Sequence, residues 1–462
     1  MKKRIPLIAC LAAVSLCAVL CGCGRTAADP EASEELAFAE AVVEKNTTHV
    51  TMVISEGETV LLDQMEGLES ADLSGSENVE EIAAWAAAHP EVDVTYTVTL
   101  PDGQVVDNHT QTLDLAAMSG AQLRDCARLL ALLPELTRLH LGAERPGLDW
   151  DTLAAVRQAL PEADLDYSFV IYGQSANLSD TTLNFSHVPV EDNGELADTV
   201  MGLMKNLTYV DMDSCGLPNW RMADIRDAHP NVKLVWRVWF GTNYSVRTDV
   251  ERILASRPST GGELDDYNTE GLYYCTEVKY LDVGHNEQLT DIGFVRYMPK
   301  LEVAILAMCG WSDASPLAAC TNLEYLELFN CPCTDLSPLA GLTNLRHLNV
   351  ACMGLDALDY PNTQLRDIKP LYNLTGLERL WLGSFQSIPA EQIEHMQQIA
   401  PQCEINTTVY EDPAGGHWRY LSVPDYFTTY FPEYHERYIK LREQFGEYES
   451  TVYSFYWNDP LY

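Results

Sequence analysis

One nine-residue phrase returns along this chain at a nearly fixed interval, and no other feature limits the possible folds as tightly. LEVAILAMC at 301–309 comes back 22 residues later as LEYLELFNC at 323–331, and after another 22 as LRHLNVACM at 345–353. VKYLDVGHN at 278–286 stands 23 residues ahead of the first, and LERLWL at 377–382 follows the last. Aliphatic residues at the first, fourth and sixth places put alternate side chains of a short strand into a core. The ninth place turns inward and satisfies backbone groups in the turn. Cys215, Asn286, Cys309 and Cys331 occupy it, and Met353 departs from the pattern. A single phrase cannot bury its own apolar face, so copies must stack into a continuous core.

The stretches between the phrases are regular too: SDASPLAACTN at 312–322, TDLSPLAGLTN at 334–344 and RDIKPLYNLTG at 366–376, the last after a ten-residue insertion at 356–365. Ser315 and Ser337 are expected to be helix N-caps, with Pro316 and Pro338 at the first helical position. The full pattern, L-x-x-L-x-L-x-x-N/C-x-L, resembles the leucine-rich repeat, and over 278–402 it resembles the internalin-like class of bacterial repeats. The resemblance implies an α/β leucine-rich repeat solenoid, with parallel strands on a concave face, helices or turns on the convex face, and caps at both ends.

The N-terminal half carries a longer period. LTRLHL at 136–141, LTYVDM at 207–212 and VKYLDV at 278–283 begin 71 residues apart, and LESADL at 68–73 begins 68 before the first of them. Helical stretches ending at a proline follow at 83–89, 153–160 and 222–229. Alternating segments come next: Val94, Tyr96 and Val98; Leu165, Tyr167 and Phe169; Leu234, Trp236 and Val238. Each reads as a half-buried strand. Further strands are expected at 112–115 and 182–185, before apolar helices at 122–133 and 196–204. Residues 36–277 therefore read as degenerate, long-period units ahead of regular repeats at 278–409; a distinct cap domain over 36–135 is the alternative.

Residues 1–22 read as an export signal: Lys2, Lys3 and Arg4, then an apolar run too short to span a bilayer comfortably. LCGC at 20–23 resembles the bacterial lipobox, which implicates Cys23 as the lipidated residue, and 23–35 read as an acidic tether. The expected location is the bacterial cell surface, on the outer face of the plasma membrane, held by the N-terminal lipid alone. No later apolar run is long enough to span, and no cell-wall sorting motif stands at the C-terminus.

Residues 410–462 hold 16 of the 43 aromatics. Tyr434, Tyr438, Leu441 and Phe445 share one helical face, expected to be a cap over the last repeat. The other reading is a platform of Trp418, Tyr420, Tyr426 and Trp457 for stacking on a sugar or peptide. GGHWR at 415–419 resembles a terminal motif found after such repeats in related bacterial surface proteins.

The net charge of −39, or −42 once the three N-terminal cations are removed, disfavours nucleic acid and favours a basic partner. No nucleophile, phosphate-loop, dinucleotide or metal-ligand constellation is present, so neither catalysis nor a cofactor is expected. The thirteen cysteines divide into four in the export segment, ladder or buried repeat positions, and a few others, and Cys331 and Cys333 are not a redox pair. Asp149 with Asp151, and Asp211 with Asp213, are weak calcium candidates better read as solvated acidic surface.

In the strand phrase the intervening residues face the concave side. The expected partner-binding set is Tyr280, Asp282, Tyr325, Glu327, Phe329, His347, Asn349 and Trp381, because exposed aromatics among charges compose interaction surfaces. The plain alternative is a row of solvated strand residues. The function expected first is non-catalytic binding of a protein or peptide. A glycan bound by the aromatic tail is the alternative, and a surface hydrolase is a third reading with no site to support it.

Overall fold

The computed structural model describes residues 34–256, 264–351, 353, 365–383, 388–407 and 441. The export segment with Cys23 and, apart from Leu441, the aromatic tail beyond Thr407 lie outside the described residues. The described residues form two compact units, one of 34–111 with 128–136, the other of 112–127 with those from 137 onward.

The first unit opens with an antiparallel pair, Glu35–Ala37 and Val42–Glu44. Three parallel strands follow, His49–Thr51, Ser70–Asp72 and Asp93–Thr95. Helix Val79–Ala88 connects the last two and stops before Pro90, which cannot continue it. Glu81 in its first turn accepts hydrogen bonds from Asn78 Nδ2 (3.0 Å), Thr59 Oγ1 (2.5 Å) and Gly57 N (3.0 Å). The strand direction then runs on into an antiparallel hairpin, Thr97–Thr99 with Val105–Asp107.

The second unit repeats that plan. Thr112–Asp114, Arg138–Ala143 and Asp164–Ile171 are parallel, and the last turns back as Gln174–Asn177. Tyr172 (φ 49°) and Gly173 (φ 78°) form the two-residue loop, whose left-handed backbone matches the twist of the paired strands. Thr182–Asn184, Tyr209–Asp211 and Lys233–Val235 are again parallel, followed by the hairpin Arg237–Phe240 with Tyr244–Arg247. The alternating segments expected near 94–98, 165–169 and 234–238 are thus strands, but each continues into a hairpin that the alternation does not announce.

From residue 252 onward one strand per repeat builds a seven-stranded parallel sheet, every neighbour consecutive in the chain: Arg252–Leu254, Tyr280–Asp282, Val303–Ile305, Tyr325–Glu327, His347–Asn349, Arg379–Trp381 and Glu404–Asn406. In register, Ile253, Leu281, Ala304, Leu326, Leu348 and Leu380 form one fully buried column. This is a leucine-rich-repeat solenoid: each coil contributes one strand, and the apolar column is the core that no single coil buries alone.

Five of the six connections opposite the strands are short 3₁₀ helices, at Glu270–Tyr274, Gly293–Tyr297, Ser315–Ala319, Ser337–Gly341 and Lys369–Asn373, and the last is the α-helix Ala390–Ile399. The expected serine caps are corrected here. Ser315 and Ser337 are the first helical residues, Ala314 and Leu336 stand at the cap positions, and the acidic residues two places before each serine hold the first turn. Asp313 accepts from Ser315 N and Oγ (both 2.8 Å), and Asp335 from Ser337 N (2.8 Å). These bonds hold both carboxyls below their usual pKa.

The inward ninth position works as its chemistry requires. Asn286 Nδ2 donates to Val283 O (2.8 Å) and Ala255 O (3.1 Å), and its Oδ1 accepts from Leu264 N (2.8 Å). Cys309 and Cys331 make thinner versions through sulfur, to Val283 O (3.2 Å) and Leu306 O (3.1 Å). The residue just before each ladder position takes left-handed backbone without being glycine: Ser214, His285, Met308 and Asn330, with φ of 53–62°.

Candidate functional site

The face of the seven-stranded sheet turned away from the repeat core carries two columns. One runs Arg252, Tyr280, Val303, Tyr325, His347, Arg379, Glu404; the other runs Leu254, Asp282, Ile305, Glu327, Asn349, Trp381, Asn406. Seven of the eight expected partner-binding residues stand in these columns, and Phe329 follows its strand by two positions. Tyr325 and His347 are direct register neighbours, ring centroids 6.0 Å apart.

Their expected exposure is corrected. Tyr325 is 4% exposed, Trp381 3%, Glu327 2%, Asn349 4% and Asp282 0%; only Tyr280, Phe329 and His347 are half-buried. Replacing Tyr325 and Trp381 together by alanine is therefore no neutral surface change, because truncating buried aromatics costs about 3–5 kcal/mol each.

Asp282 and Asn349 also have a structural task. Asp282 Oδ1 accepts from Gly284 N (2.9 Å) and Asn349 Oδ1 from Ala351 N (3.0 Å), closing the turn that leaves each strand. Asp72, Asp114, Asn184 and Asp211 do the same at the ends of earlier strands, at 2.9–3.1 Å. An Asp or Asn at the fifth place of the phrase was the available signal: it stands at Asp72, Asp211, Asp282 and Asn349, whereas the same place holds His140, Ile305, Glu327 and Trp381 in the other phrases.

Sequence reasoning gave too little weight to the apolar members of this face. Val303, Ile305 and Ala307 form one buried cluster with Tyr325, Trp381 and Leu441, against which Leu254, Tyr280 and Phe329 pack. Arg379 is fully buried, its guanidinium carbon 5.1 Å from the Trp381 ring centroid. Tyr280 donates to Glu302 Oε2 (3.2 Å), and burial with that neighbouring charge raises its pKa. The cap expected over the last repeat lies outside the described residues except for Leu441, which packs on the strand face against the third, fourth and sixth strands.

The acidic pairs are not open cation sites. Arg237 grips both oxygens of Asp213 (2.8 and 3.0 Å), and Arg247 holds Asp211 (2.9 Å) while donating to Tyr209 Oη (2.7 Å). Burial opposes ionisation of Asp213, but the Arg237 bonds outweigh it and its pKa is lowered. Asp149 caps helix Trp150–Ala159 through Thr152 N (2.9 Å) and meets Arg124 at 2.7 Å. Among the described residues no group of three or more His, Cys, Asp or Glu is placed to hold a metal ion, and no helix is long and apolar enough to cross a membrane.

A family model described as leucine-rich repeats in two copies matches residues 321–360. No curated protein matches the chain in sequence. Solved structures similar to it include an internalin from Listeria monocytogenes, at 16% identity, covering 79% of this chain and 85% of that one, with a TM-score of 0.29. A leucine-rich-repeat protein of Leptospira interrogans is similar at 15% identity, covering 75% and 91%, TM-score 0.28. The ectodomain of a plant receptor kinase from Arabidopsis thaliana is similar at 12%, covering 78% and 34%, TM-score 0.26. At such scores the solenoid assignment stands on the strand ladder and the repeat match.

Proposed function

We propose that this chain is a non-catalytic binding protein of the internalin-like, 22-residue type, lipid-anchored through Cys23 on the outer face of a bacterial plasma membrane, and that the strand face of its repeats receives a protein or peptide. The observation that carries the reading is the strand face itself. Seven parallel strands present aromatic, apolar and charged columns in register, and repeat solenoids use such stacked faces as binding surfaces. Tyr280, Phe329 and His347 are its accessible aromatic members. The net charge of −39 favours a basic partner. The LCGC sequence at 20–23 supports the anchor.

The test uses full-length protein purified from the membrane fraction. Mass spectrometry of its N-terminus should find diacylglycerol on Cys23, and Cys23→Ala should release the protein from membranes. Partner capture, quantified against a glycan array run in parallel, should drop at least about tenfold in Tyr280→Ala with His347→Ala, as for paired aromatic anchors at an interface. Unchanged capture by the double variant, or binding only on the glycan array, would overturn the protein-binding reading.

A further inference from the structure

We propose that the strand face is filled in cis by this chain's own C-terminal segment, residues 408–462, seated through Leu441, and that a partner must displace it. The displacement rests on the partner-binding reading above; the docking does not.

Side chains alternate along a strand, so residues flanking Leu281, Ala304, Leu326, Leu348 and Leu380 point away from the repeat core. Ile305, Tyr325, Glu327 and Trp381 do so and are nevertheless buried. Their own coils cannot shield them, so something lies on the face. The described residue from outside the repeats that joins them is Leu441, itself 7% exposed, in one cluster with Val303, Ile305, Ala307, Tyr325 and Trp381.

Chain length permits this. Thr407 directly follows the seventh strand, and Leu441 comes 34 residues later. Returning from the seventh strand to the third crosses four strand spacings, roughly 19 Å, well within reach of such a segment.

The experiment compares the full chain with Leu441→Asp, using Leu441→Met as the conservative control. Trp381 is the reporter, read as the difference in acrylamide quenching between each protein and its Trp381→Phe derivative. Trp381 should be nearly unquenched in the wild type and in Leu441→Met, and quenched several-fold more in Leu441→Asp with circular dichroism unchanged. A labelled synthetic peptide of residues 430–452 should bind Leu441→Asp at least about tenfold more tightly than wild type, where the tethered segment competes at high effective concentration. Equal quenching in all three proteins, equal peptide affinity, or protection of Trp381 that vanishes on dilution and so reveals a second copy, overturns the docking. If docking holds and Tyr280→Ala with His347→Ala leaves partner capture unchanged, the partner-binding reading alone falls.

Discussion

Asn286 is one side chain doing the work of three backbone partners. With Asn286→Ala, Leu264 N and the carbonyls of Val283 and Ala255 lose those bonds in a fully buried turn. Urea unfolding should show a loss of about 2–4 kcal/mol. Glu81 makes a pH-dependent contribution in the first unit. Hydrogen bonds from Asn78, Thr59 and Gly57 lower its pKa from 4.5 to about 2. A carboxyl with a depressed folded pKa stabilises above its unfolded pKa, and that stability is lost as pH falls through the folded value. The melting temperature of Glu81→Gln should therefore lie below wild type at pH 7, and the gap should close between pH 4.5 and about 2. A gap independent of pH would disprove this account. At this scale the columns of the strand face are legible, because period two assigns them. Their burial is not legible residue by residue, although Val303 and Ile305, two aliphatics at positions meant for water, mark where a cover belongs.

Short elements explain where sequence reading succeeds and fails. Strands of three residues are found because three aliphatics in six places leave one arrangement open. The convex connections are misread because Ser-Pro is a sound α-helix start, whereas five residues allow only a single tight turn, and the adjacent aspartates hold that turn. The hairpins escape because Tyr172-Gly173 is the kind of loop recognised only once both flanks are known to pair. The cysteines show an element-wide consequence. Burial pushes the thiols of Cys275, Cys309, Cys320 and Cys403 up to about 12. Thiolate is the reactive form. Peptide mapping after maleimide treatment of native protein should find all eight described cysteines, each of them buried, unlabelled, and labelled once urea is present. Rapid native labelling of Cys309 or Cys331 would mean the ladder opens readily.

On the scale of the whole molecule, 68 acidic side chains against 29 basic ones repel one another in any compact state. Raising salt from low concentration to about 0.3 M, where the screening length falls to several ångströms, should raise the melting temperature in calorimetry. A fall would mean that ion pairs such as Arg237–Asp213 outweigh the repulsion. The regular repeats are the most legible part of the chain, since their period is short and, apart from one insertion, nearly constant. The N-terminal half reveals a period but hides its content. That content is three parallel strands closed by a hairpin, and the hairpin pairs centre on Val98, Phe169 and Val238. Between one hairpin and the next lies a complete group of coils, so the inheritable increment of this half is a block of about seventy codons rather than a single coil. Gain or loss of one such block in the gene would lengthen or shorten the protein without disturbing the register of any sheet.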